Sequence, residues 1–93
     1  MRIGVPTEIK NREFRVGLVP DSVKELTARG HQVLVQSGAG AGIGSDDDAY
    51  RAAGAEIAPD AESVFANAEM IVKVKEPQEV EWKRLREDHI LFT

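Results

Sequence analysis

Five short apolar runs recur along this chain, each separated from the next by about one helix's worth of residues, and that rhythm fixes the fold class before any single residue is considered. The runs are Arg2 to Val5, His31 to Gln36, Ala55 to Ile57, Met70 to Val74 and His89 to Phe92. Between them lie segments with helix signals. Pro20 to Arg29 carries Val23 and Leu26 three apart and is followed by Gly30, where a C-terminal glycine ends a helix. Ser45-Asp46-Asp47-Asp48 resembles a capping box with Ser45 as N-cap, opening a short helix to Ala53 that Gly54 stops. Pro59-Asp60 opens a helix through Ala66, and Glu79 to Glu87 reads as a polar helix. Strands alternating with helices predict an α/β fold, a parallel sheet with helices on both faces, Rossmann-like or flavodoxin-like in kind.

Size and charge narrow the function. At 93 residues the chain makes one small domain with an ordinary soluble composition, 42% hydrophobic and 30% charged. Sixteen acidic side chains against twelve basic ones give a net charge of −4, which argues against nucleic acid as a partner. Without cysteine there is no disulfide, thiolate chemistry or cysteine zinc site. The two histidines and scattered acids lack metal-ligand spacing. No apolar run approaches the ~20 residues of a membrane span, so a cytoplasmic location is expected.

The chemistry concentrates where strands should end. In Val72-Lys73-Val74-Lys75-Glu76-Pro77 an apolar run closes on two lysines, an acid and a proline. Ligands of open α/β sheets bind outside the carboxyl ends of the strands, so Lys75 is a candidate for polarising a ligand oxygen. Lys73, two residues earlier, shares its strand face and is the weaker candidate. After the first strand, Arg15 precedes a second apolar run, and its planar fork suits a carboxylate. Arg12, three residues earlier, competes with it, and periodicity does not choose between them. Two cations at the ends of two strands point to a small anionic ligand.

Other features read as structural. Gly38-Ala39-Gly40-Ala41-Gly42-Ile43-Gly44 lies between a strand and a helix as a dinucleotide loop would, but Ile43 or Ser45 falls where the third glycine should be, and three aspartates crowd the helix start. It reads as a turn that lets the chain reverse closely against the sheet. His31 and His89 sit at strand starts, the end away from a parallel-sheet site. Glu8 and Asp21 read as exposed, and Trp82, Phe65 and Tyr50 as helix residues packing on the sheet.

Six separated blocks, in order, carry a resemblance. They are Met1 to Pro6, Lys10-Asn11 through Arg15-Val16, Arg29-Gly30-His31 leading into Val33-Leu34-Val35, Ala52 to Ala55, Lys73 to Pro77, and Ile90 to Thr93. Together they resemble the amino-terminal part of the alanine dehydrogenases, enzymes that interconvert L-alanine with pyruvate and ammonia using NAD. The resemblance implies that residues 1–93 are the amino-terminal part of a substrate domain, with Arg15 binding the substrate carboxylate and Lys75 its carboxylate or carbonyl oxygen. It also implies that the catalytic histidine, the NAD-binding domain and the rest of the substrate domain lie beyond Thr93. The segment alone is then expected to be inactive, and the parent to be a homo-oligomer, commonly a hexamer. Two rivals stand beside this reading: the related domain of the proton-translocating transhydrogenases, and a non-catalytic assembly module.

Overall fold

The computed structural model describes all 93 residues, Met1–Thr93. Five parallel strands, β1 (Arg2–Val5), β2 (Gln32–Gln36), β3 (Glu56–Ala58), β4 (Met70–Val72) and β5 (Ile90–Phe92), form one sheet in the order β3-β2-β1-β4-β5. Four helices connect them in turn: α1 (Pro20–Ala28), α2 (Asp47–Ala52), α3 (Ala61–Asn67) and α4 (Glu79–Trp82). The chain therefore builds outward from β1 to β3, crosses back by α3, and resumes at β4 on the other side of β1. That reversal is the switch point of a doubly wound sheet, and it lies between the carboxyl ends of β1 and β4.

Side-chain alternation on the strands divides the core in two. Ile3, Val5, Val33, Val35 and Val72 point to one face, where Val23 of α1 and Tyr50 of α2 cover them. Ile71 and the partly buried Leu34 point to the other, beneath Val64 and Phe65 of α3. Each fully buried side chain of this size contributes about 1.5–3 kcal/mol. The Tyr50 hydroxyl, buried with its ring, donates to the Leu18 carbonyl at 2.8 Å, so the helix that covers the sheet also fastens the loop leading into α1.

The local signals act largely as expected, with instructive displacements. Helix α1 begins with Pro20 at its first position, where a missing N–H costs nothing. The cap of α2 is Asp46 rather than Ser45: its carboxylate accepts from the Ala49 N–H at 2.9 Å. Asp60 caps α3 in the same way through Ser63. Strand β4 ends at Val72, two residues short of the expected Val74, and α4 is a single turn rather than a helix to Glu87. Trp82, expected to pack on the sheet, is 63% exposed, and all three residues of β5 are exposed as well. No helix is long and apolar enough to cross a membrane.

Candidate functional site

The two loops that flank the switch point carry the candidate cations, and the Lys10–Glu76 ion pair joins them. The first runs from Pro6 to Val19 after β1, the second from Lys73 to Gln78 after β4. Two close approaches seat the first loop. A Cβ placed on Gly17 would lie 2.5 Å from the Val72 carbonyl oxygen, and one on Gly42 would lie 2.2 Å from that of Phe14. Only glycine permits either contact. The segment around Arg15 is thus gripped between β4 on one side and the Gly38–Gly44 loop on the other, which gives that glycine-rich stretch a role its failed dinucleotide spacing left open.

Arg15 is exposed and its fork is engaged. Its Nε and Nη2 donate to the two oxygens of Glu13 at 3.0 and 2.9 Å, and its backbone N–H donates to the same carboxylate at 3.0 Å. The Arg15 hydrogen bonds, followed by the charges of Arg15 and Lys75, hold the Glu13 carboxyl down at about 2. Glu13 in turn raises the Arg15 guanidinium, with a further contribution from the charge of Glu8. A guanidinium has more than one face for a carboxylate. Glu13 occupies the side formed by Nε and Nη2, and Nη1 has no partner within the chain. The end-on edge is therefore open to a second anion, oriented by the first.

Arg15, Glu13, Glu8, Thr7 and Phe14 line a cleft of about 170 Å³ together with Gly38, Ala39, Ala41 and Gly42. Arg12, the competing cation, does not line it; it is exposed at a left-handed turn with φ 62°. Within the wall, the Thr7 Oγ1 is buried with no hydrogen-bond partner, a donor and acceptor left unused. Lys75, half-buried on the adjoining loop, does not line this cleft; its backbone N–H donates to Glu8, which does.

Lys73 does not share a face with Lys75 as strand periodicity suggests, because β4 has already ended. Its side chain is only 1% exposed, and its Nζ lies 3.3 Å from Glu8 Oε1 and 3.1 Å from Glu81 Oε2. An ammonium removed from water needs such partners. Glu8, expected to be exposed, is therefore buried instead. Its carboxylate also accepts from the Val74 N–H at 3.1 Å and the Lys75 N–H at 3.2 Å. Glu81 closes a capping box with Gln78, accepting its N–H at 2.9 Å. Two carboxylates around one ammonium leave a formal negative charge, and these three backbone donors offset it.

Sequence reasoning missed Glu8, Glu13 and Glu81. The Gln78-Glu79-Val80-Glu81 spacing is a visible capping-box signal, and a lysine inside an apolar run demands a buried acid somewhere. Nothing local identified Glu8 as that acid. Neither histidine lines the cleft. The His89 Nε2 lies 2.8 Å from the Phe65 carbonyl oxygen and its Nδ1 accepts from the Arg86 N–H at 2.8 Å, while His31 lies beside the amino terminus.

The helix start after the glycine-rich loop is filled by the chain itself. Asp47 accepts from the Gly38 N–H at 2.9 Å and from the Ser37 hydroxyl at 2.6 Å, and both bonds lower its carboxyl below the usual range. A pyrophosphate would have to displace this carboxylate and face Asp46 and Asp48, so these residues do not fit a dinucleotide.

Fold and site together define a doubly wound, parallel α/β unit of Rossmann-like kind, with charged loops at its switch point. The chain belongs to the alanine dehydrogenase/PNT N-terminal domain family, whose profile matches residues 4–93. It is 53% identical over 93 residues to the alanine dehydrogenase of Mycobacterium tuberculosis strain H37Rv, covering all of this chain and 25% of that protein. With the alanine dehydrogenase of Bacillus subtilis strain 168 it shares 52% identity over 93 residues, covering 24% of that protein. A solved L-alanine dehydrogenase superimposes with a TM-score of 0.97 at 49% identity, over 100% of this chain and 26% of that one. The transhydrogenase from Sinorhizobium meliloti follows with a TM-score of 0.90 at 31% identity, over 98% of this chain and 27% of that one. The chain spans about a quarter of the length of the curated relatives it matches.

Proposed function

We propose that this chain is the amino-terminal part of the substrate domain of an NAD-dependent alanine dehydrogenase, and that it supplies two groups that hold the small acid: Arg15 for the carboxylate and Lys75 for the carboxylate or carbonyl oxygen. The observation that carries this reading is the meeting of the two loops at the switch point. Glu8, which lines the cleft beside Arg15, also accepts from the Lys75 backbone N–H at 3.2 Å, and Arg15 keeps one edge unpartnered.

On this reading the two cations do positioning work. The end-on edge of Arg15 takes the carboxylate bidentately and fixes the plane of the ligand. The Lys75 ammonium then polarises the carbonyl oxygen of pyruvate, where negative charge grows when the carbonyl carbon is attacked. Orientation of this kind is worth up to about 7–11 kcal/mol of a barrier in favourable systems. The nicotinamide cofactor would be held by residues outside this chain, consistent with the self-filled helix start after Gly38–Gly44. A cytoplasmic homo-oligomer is the form in which the whole enzyme would act.

The transhydrogenase reading is weaker because the match to that structure is lower in both identity and superposition. One assay separates the two. The full-length protein is expected to reduce NAD when given L-alanine, and Arg15→Lys or Lys75→Ala is expected to lower that rate by about 100-fold or more. Absence of alanine-dependent reduction in the unaltered protein would refute the dehydrogenase reading. Unaltered turnover in either variant would refute the residue assignments.

A further inference from the structure

We infer that Glu8 is a positioning residue that sets the backbone of the Lys75 turn, with the buried Lys73 and Glu81 pair holding its carboxylate in place. The inference rests on the reading that Lys75 holds the substrate.

Sheet pairing ends at Val72 opposite Phe92, and the Lys73 N–H makes the last bond across to β5. From there the chain must bend toward α4 with no neighbouring strand to receive its N–H groups. A single carboxylate replaces that strand. Glu8 engages three consecutive residues, the Lys73 side chain and the Val74 and Lys75 N–H groups, from across the switch point. Behind it, Lys73 bridges to Glu81, and Glu81 fastens Gln78. Residues 73–81 thus form a loop tied at both ends, with Lys75 on its outward bend.

The same residue lines the cleft beside Arg15. Glu8 therefore both bonds to the Lys75 turn and lines the Arg15 cleft, and moving it would shift the spacing between the two cations. A displacement of about 1 Å in such a pair can cost about 100-fold in rate. Glu8→Gln tests this with little disturbance of the fold, since Lys73 and Glu81 remain as a matched pair. The amide, however, turns a donor toward one of the N–H groups that the carboxylate receives.

The test is a double-mutant cycle in the full-length protein, measuring kcat and KM for pyruvate in reductive amination and the melting temperature of each variant. Glu8→Gln is expected to lower kcat/KM for pyruvate by about 100-fold while KM for the nicotinamide cofactor stays unchanged. On a Lys75→Ala background it is expected to cause almost no further loss, because a positioning group has nothing left to position. A loss that multiplies with that of Lys75→Ala, or a lower melting temperature with unchanged constants, would overturn the inference. Full activity in Lys75→Ala itself would instead sink the substrate-site reading, so the two failures are distinct. Should Glu8→Gln not fold, Glu8→Asp, which keeps the charge but shortens the reach, is judged by the same criteria.

Discussion

Two ionic networks sit a few residues apart on the same rim, and they differ in one respect, access to water. Around Lys73 both the ammonium and its carboxylates are sealed, each side chain 1% exposed. Around Arg15 the guanidinium is 65% exposed, while its partner Glu13 is tucked beneath it at 6%. A sealed network cannot exchange partners without unfolding, so its charges serve architecture. An arginine fixed on one edge and open on another keeps its charge available for something that arrives. The comparison teaches that cations of similar sequence context divide their labour by where their counterions lie, which no local pattern reveals.

The difference is broken most directly from the sealed side. Lys73→Met leaves two buried carboxylates facing each other without their cation, and is expected to cost about 3–5 kcal/mol of unfolding free energy in urea titration. Arg15→Lys, by contrast, is expected to leave the urea midpoint almost unchanged, because exposed ion pairs are worth little. Comparable losses in the two variants would erase the distinction. Next in size is Gly42→Ala, which pushes a methyl group into the Phe14 carbonyl and must displace the Arg15 segment. Overpacking of this kind costs about 1–3 kcal/mol. Here the melting temperature and the KM for pyruvate should move together, whereas a change in stability alone would show that the clamp does not set the Arg15 position.

A smaller effect concerns the caps. Asp60→Ala removes the acceptor of the Ser63 N–H and is expected to lower the urea midpoint by less than Gly42→Ala does. The least is read from pH. The Glu13 carboxyl is lowered from 4.5 to about 2, first by its hydrogen bonds from Arg15. A carboxyl depressed on folding adds stability that is fully present above its unfolded value and lost as the pH falls toward its folded one. The Glu13→Gln variant should therefore lose less stability than the unaltered protein between pH 4.5 and about 2, and parallel acid profiles would contradict the pairing.

How much of this was legible follows from where the determining force acts. Strand β1 and helix α1 are dictated locally, by an apolar run and by Pro20 and Gly30, and they fall where the pattern puts them. The shift of the α2 cap from Ser45 to Asp46 arises because four adjacent residues are all competent caps, and the choice is made when Asp47 reaches back to Ser37 and Gly38. Strand β4 ends early because Lys73 turns to acids 65 and 8 residues away in the chain, Glu8 and Glu81. Likewise α4 stops after one turn, and the Arg86 guanidinium donates instead to the carbonyls of Phe65, Ala66 and Ala68 at the carboxyl end of α3. In each case the missing information was a long-range partner, and the same holds for Glu8 in the candidate site.

The central claim is that Arg15 and Lys75 meet on one small acid, and a crystal structure of the full-length protein with bound pyruvate tests it most directly. The account predicts the carboxylate seated on the end-on edge of Arg15, with Glu13 still on the other edge, and the Lys75 Nζ within hydrogen-bond distance of a pyruvate oxygen. Pyruvate bound elsewhere, or held with either cation turned away from it, would contradict the account.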